Sequence, residues 1–143
     1  MKIRLADTDN QIKQCYSLMR QLRPHVTQKI FLPSVREQQA GGYQIAMLEH
    51  ENKIVAVAGF RLGKNLAWGD FLYVDDLVTC SNQRSQGYGK ALLSWLKTYA
   101  ANKGCQQLHL DSGLQRKEAH KFYEREALCA TGFHFACDVG ECS

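Results

Sequence analysis

Prolines, long hydrophobic runs and single-sign charge blocks are what this chain of 143 residues has least of. The longest apolar stretch, Ile54 to Phe60, is far too short for a membrane-spanning helix, so no membrane partner is expected. No signal-peptide apolar region stands behind Met1-Lys2-Ile3-Arg4, and a soluble, cytoplasmic protein follows as the expectation. Only two prolines occur, with no linker-like stretch and no repeat. One domain over residues 1–143 is therefore expected, long enough to bury a real core.

The six cysteines, Cys15, Cys80, Cys105, Cys129, Cys137 and Cys142, lack paired Cys-x-x-Cys spacing. A zinc site from Cys129, His134 and Cys137 is thereby disfavoured, and no metal is expected. With no export signal visible, reduced thiols are the better reading than a disulfide framework, and Cys142 is the one expected to be exposed and oxidisable. A net charge of +4 is modest and its residues are dispersed. No groove-reading motif accompanies it, so nucleic acid is not an expected partner; a positive face drawing in a polyanionic cofactor explains the charge equally well.

What is present is ordinary globular composition, 45% hydrophobic and 22% charged, with one unusual turn. Arg84-Ser85-Gln86-Gly87-Tyr88-Gly89-Lys90 lies between an apolar strand pattern, Phe71 to Val78, and a helical pattern from Ala91 onward. A strand that turns through glycines into a helix gathers free backbone N–H groups at the helix's positive end. Gly87 and Gly89 carry no Cβ, so a phosphate can approach the main chain. The spacing is neither the dinucleotide fingerprint, since Leu92 stands where a third glycine belongs, nor a Walker loop. It reads as a pyrophosphate cradle.

Periodicity supplies the remaining elements. Lys2–Ala6 reads as a strand, and Asp7-Thr8-Asp9-Asn10 caps a helix carrying Ile12, Cys15, Met19 and Leu22. Pro33 opens a second short helix as far as Gln39, and Gly41-Gly42 stops it. Strands Tyr43–Leu48 and Ile54–Arg61 form a hairpin through Glu49-His50-Glu51-Asn52-Lys53. Trp68–Thr79 is the next strand, and the helix after the glycine turn ends at Gly104. Strand Gln107–Asp111, a helix around Ala119, Phe122 and Tyr123, and a last strand Gly132–Cys137 follow. The order β-α-α-β-β-β-α-β-α-β predicts an α/β (α+β mixed) fold: a mixed, twisted sheet of about six strands flanked by about four helices.

This order resembles the GNAT superfamily of acyl-CoA-dependent N-acetyltransferases. Asp76-Leu77-Val78-Thr79 followed by Arg84-Ser85-Gln86-Gly87-Tyr88-Gly89 matches its Arg/Gln-x-x-Gly-x-Gly/Ala motif. Ala119-His120-Lys121-Phe122-Tyr123 is similar to its Ala-x-x-Phe/Leu-Tyr helix, with Gly132-Phe133 near its Gly-Phe end. Where members often carry asparagine three residues before the helix alanine, this chain has Arg116.

The resemblance implies transfer of an acetyl group from acetyl-CoA, as cosubstrate, to a primary amine by direct attack in a ternary complex. It implies a pyrophosphate held on N–H groups from Arg84 to Lys90, and a pantetheine paired with Leu77, Val78 and Thr79 as an added strand. Arg116 and Phe122 are further candidate cofactor contacts, although a solvated side chain at a helix start is an equal reading of Arg116. A backbone N–H near Leu77 or Val78 would hold the thioester oxygen.

Tyr123 is the implied acid for the departing thiolate, its phenol able to donate while neutral. An aromatic core residue beside Phe122 is its plainer alternative. Asp75 and Asp76 lie at the strand end where a base is needed. Because adjacent strand residues face opposite ways, only one of them should reach the cleft, and Asp76 is favoured, while capping or pairing near the strand end is an equal reading of either aspartate. A CoA-binding regulatory module with little catalysis is the alternative function. The acceptor amine is unspecified, and a homodimer is admitted by the short C-terminus.

Overall fold

The computed structural model describes residues 1–81 and 86–140. Two compact units make up the chain, Met1–Leu110 and Asp111–Ser143. The first unit contains β1 (Lys2–Leu5), α1 (Asp9–Gln14), α2 (Tyr16–Leu22), α3 (Gln28–Ala40), β2 (Tyr43–His50), β3 (Lys53–Asn65), β4 (Gly69–Thr79), α4 (Tyr88–Asn102) and β5 (Gln107–Leu110). The second contains α5 (Lys117–Arg125). The sheet runs β1-β2-β3-β4-β5. Its first three pairings are antiparallel and β4–β5 is parallel, so the expected mixed sheet forms with α4 as its crossover.

Among the described residues there are five strands and five helices rather than about six and about four. The expected strand Gly132–Cys137 is irregular, and Phe133 and Phe135 are 80% and 90% exposed. Alternation marks a segment able to pair; without a neighbouring ladder it does not become a strand. The extra helix arises at Cys15, where the backbone N–H bonds Ile12 O at 3.0 Å and tightens the turn that ends α1.

Helix α1 is opened by a capping box. Thr8 Oγ1 accepts from Gln11 N–H, and Gln11 Oε1 accepts from Thr8 N–H. Helix α3 starts at Gln28, well before Pro33, which lies inside it. Proline removes one backbone donor there, but Phe31 and Val35, both buried, anchor the same helix to the core. The β2–β3 hairpin is tighter than expected. His50 pairs with Lys53, and Glu51 and Asn52 both have positive φ, 53° and 64°, as a two-residue type I′ turn requires.

Two apolar layers enclose the sheet. On one face Ile12, Cys15, Leu18, Met19, Phe31 and Val35 pack with Tyr43, Ile45, Met47 and Val57. On the other, Leu92, Leu93 and Leu96 of α4 are buried, and Phe60 meets Trp95 and Tyr99 edge-on at 6.4 and 5.3 Å. Among the described residues no helix is long and apolar enough to cross a membrane.

Candidate active site

Strand β4 is interrupted where it matters for chemistry. Gly59 pairs with Asp76 but Phe60 pairs with Val74, so Asp75 is the extra residue of a β-bulge. Strict alternation would separate the two aspartates, and the bulge defeats that expectation. Asp76 Oδ2 accepts from Tyr43 Oη at 2.7 Å. Asp75 Oδ2 accepts from Arg61 Nη2 at 2.6 Å and Nε at 3.1 Å. The Arg61 guanidinium in turn lies 5.5 Å from the centre of the Tyr43 ring. Both carboxylates therefore belong to one cluster.

A second arginine closes it. Arg23 Nε donates to Asp76 Oδ1 at 2.9 Å and Arg23 Nη2 donates to Asp75 O at 2.9 Å. Tyr43 is buried at 3% exposure. That burial, and then the Asp76 carboxylate, pushes its phenol well above the usual tyrosine range, so it is a permanent donor at neutral pH. The hydrogen bonds that Arg61 donates to the Asp75 carboxylate likewise raise the guanidinium pKa.

Gly59 explains how these groups meet. A Cβ on Gly59 would lie 1.8 Å from Tyr43 Oη and 2.6 Å from Asp76 Oδ2. The hydrogen bond occupies the space a side chain would take. Sequence reasoning missed Tyr43, Arg61, Arg23 and Gly59. The available signal was a glycine inside an apolar strand, which often marks close approach by another group.

Beyond the bulge β4 loses its parallel neighbour. Pairing with β5 runs from Phe71↔Gln107 to Val74↔Leu110 and stops. Asp76 to Thr79 remain paired with β3 on their other side. Leu77, Val78 and Thr79, all half-buried, thus lie on a strand edge that no described strand covers. An extended, amide-bearing ligand can add there as a strand.

The glycine turn opens α4 earlier than expected, with Gly87 as N-cap at φ 82° and Tyr88, Gly89 and Lys90 in the first turn. The first intrahelical bond is Ala91 N–H to Gly87 O at 3.0 Å. The N–H groups of Tyr88, Gly89 and Lys90 consequently have no acceptor within the helix, and the N-cap Gly87 has no side chain to cap them. Gln86, Gly87 and Lys90 are exposed, whereas the Tyr88 ring is buried and 5.6 Å from the His50 ring. Tyr88 can offer only its backbone. A pyrophosphate fits this arrangement: open donors, a positive helix end and no Cβ at the turn. Arg84 and Ser85 lie outside the described residues.

In the second unit, Phe122 and Tyr123 lie on α5 with ring centres 5.3 Å apart. Tyr123 is half-buried; burial raises its phenol above the usual value, and the Arg116 cation pulls the other way. Arg116 is exposed and is the N-cap of α5, making no side-chain cap. His134 Nδ1 lies 3.5 Å from the Asp111 carboxylate, while Cys129 is an exposed free thiol and Cys137 is also exposed.

A mixed sheet with a bulged, half-uncovered β4 leading through a glycine turn into α4 defines an acyl-CoA transferase architecture. The profile of the acetyltransferase (GNAT) family matches residues 10–127. The chain belongs to that family and is an acetyl-CoA-dependent N-acetyltransferase. Similar proteins include the uncharacterised N-acetyltransferase YhdJ of Bacillus subtilis, 34% identical over 111 residues, covering 77% of this chain and 78% of the relative. An aminoalkylphosphonate N-acetyltransferase of Salmonella typhimurium is 32% identical over 62 residues, 43% of this chain and 40% of that protein. Among solved structures, an aminoglycoside N-acetyltransferase in complex with CoA superposes with TM-score 0.85 at 15% identity, covering 97% of this chain and 94% of that one.

Proposed function

We propose that this enzyme acetylates a primary amine by direct attack within a ternary complex, and that residues 1–143 act as one domain. The observation that carries the cofactor assignment is the edge of β4 that no described strand covers beyond Val74, followed in the chain by an α4 N-terminus whose N-cap is Gly87. In this reading N–H groups of Gln86 to Lys90, with Arg84 and Ser85, hold the pyrophosphate, and Leu77, Val78 and Thr79 pair with the pantetheine. Arg116 and Phe122 complete the cofactor contacts. The match of the family profile across both compact units supports a single domain.

Acetyl-CoA supplies, when bound, an activated acetyl thioester. The chain's own groups must then handle two protons. An alkylammonium has a pKa near ~10.4, so it must be deprotonated before it attacks. Asp76 is the proposed acceptor of that proton. Among the described residues its oxygens have one hydrogen bond each, and a carboxylate offers roughly four lone-pair sites. A backbone N–H at Leu77 or Val78 stabilises the developing oxyanion. Tyr123 donates to the departing thiolate; its raised pKa favours the protonated form at neutral pH, as an acid requires.

A cytoplasmic location is proposed on Cys15, Cys80, Cys105 and Cys129, which are free thiols, as in a reducing compartment. A homodimer is proposed on the exposed Phe133, Phe135 and Val139. The test of function is thiol release from acetyl-CoA against a panel of polyamines, amino acids, aminoalkylphosphonates and peptide N-termini, alongside calorimetric CoA binding. Turnover with one class identifies the acceptor. Tight CoA binding with no turnover across the panel would favour the alternative of a CoA-binding module.

A further inference from the structure

The two ion pairs of the bulge cluster are built differently. Arg61 rises from β3, places two N–H groups on one oxygen of Asp75 and lies over the Tyr43 ring. Strand, fork and aromatic face all restrain it. Arg23 comes from a connection: it is the C-cap of α2, with non-helical φ −123° and ψ 68°. It places a single N–H on Asp76, and its side chain is 42% exposed, while that of Asp76 is 13% exposed. The other Arg23 hydrogen bond goes to the Asp75 backbone carbonyl, so the Asp76 carboxylate itself receives one N–H from a half-exposed partner, a pair that contributes little against solution cations.

The two oxygens of Asp76 differ correspondingly. Oδ2 is locked by the buried Tyr43 phenol in the space that Gly59 leaves. Oδ1 is held, among the described residues, by Arg23. The carboxylate is thus fixed at one end and exchangeable at the other.

We propose that Arg23 is a built-in counter-ion occupying, on Asp76 Oδ1, the position an acceptor's ammonium would take, so that the acceptor enters as a cation by exchanging with it. This rests on the reading of Asp76 as the acceptor-side carboxylate. An ammonium N–H can replace the arginine N–H at the same oxygen, and Tyr43 keeps the carboxylate in place while the exchange occurs. Arg23 is then a specificity-determining residue. It competes with simple alkylammonium groups and holds the cluster neutral, two arginines against two aspartates, when no acceptor is present.

The test is a binding measurement and needs no turnover. Butylammonium and ethylguanidinium are titrated into wild type, Arg23→Ala and Arg23→Gln, following the Tyr43 ring signals by NMR. Arg23 is a partly exposed cap residue, and thermal melts check that both variants remain folded. Removing the competing cation should tighten both probes by about ten-fold or more. Added salt should weaken them, and Asp76→Asn in the Arg23→Ala background should abolish the effect. Equal affinities in wild type and both Arg23 variants would overturn the proposal, as would tightened binding that persists without the Asp76 carboxylate. A failure of acetyl transfer with every amine would bear on the proposed reaction and leave this comparison intact.

Discussion

A methyl group on Gly59 would place its carbon 1.8 Å from the Tyr43 oxygen and 2.5 Å from Tyr43 Cζ. No rotamer of so short a side chain avoids this, so the Tyr43–Asp76 hydrogen bond must break or the strands must part. Gly59→Ala should cost about 1–3 kcal/mol of stability, the usual penalty for overpacking, and should lower kcat because Asp76 loses its fixed partner. Urea denaturation and steady-state thiol release measure the two effects. A fully stable, fully active alanine variant would remove the Gly59 niche from the account.

Tyr123→Phe keeps the ring against Phe122 and deletes one hydroxyl. General acids contribute about 10²- to 10⁴-fold, so kcat should fall within that range while CoA affinity holds. Wild-type kcat in the variant would leave water as the proton source. At this scale the sequence shows which residue types stand at a strand end but not which way they point. Asp76 was singled out by its place at a strand end, but its relation to Asp75 was inferred from unbroken alternation. The bulge reverses that inference, and a bulge is a property of two paired strands, invisible in either one alone.

Elements were legible wherever local chemistry governs them. The cap at Thr8, the stop at Gly41-Gly42 and the hairpin between β2 and β3 all follow from residues within a few positions. Helix α3 was underestimated because Pro33 looks like a start, whereas the buried Phe31 and Val35 carry the helix through it. The turn into α4 gives the element-scale prediction. Gly87 has φ 82°, and a Cβ there would meet no atom within 4 Å. Gly87→Val therefore acts through backbone strain rather than collision: holding a non-glycine residue in such a region costs about 1–3 kcal/mol. If phosphate binding demands that geometry, CoA affinity should drop by about 10- to 100-fold. Calorimetric titration decides, and undiminished affinity in a folded variant would sink the cradle.

For the whole molecule, thiol reactivity reads out how the chain is packed. Cys15 is fully buried, and burial pushes its thiol up to about 12. At pH 8 roughly one molecule in 10⁴ then carries the nucleophilic thiolate, while Cys129 is exposed. Iodoacetamide followed by peptide mass mapping should therefore modify Cys129 long before Cys15. Comparable rates would contradict the packing of α1 against the sheet. Cys142, the thiol expected to be most accessible, lies outside the described residues.

The last strand expected from sequence marks where single-chain reasoning ends. Phe133, Phe135 and Cys137 alternate as a strand would, yet the segment is irregular and its phenylalanines face solvent. Periodicity records what a segment can bury; a partner decides whether it does so. A second copy of the chain is the partner proposed above, and exposed apolar side chains such as Phe133, Phe135 and Val139 are what association covers. Sedimentation velocity at micromolar concentration should then give a dimer for the wild type. Phe133→Ser with Phe135→Ser should shift it to monomer, with little change in the thermal melt because these side chains are 80% and 90% exposed within one chain. A wild type that sediments as a monomer would dismiss the dimer and leave the phenylalanines as surface available to another partner.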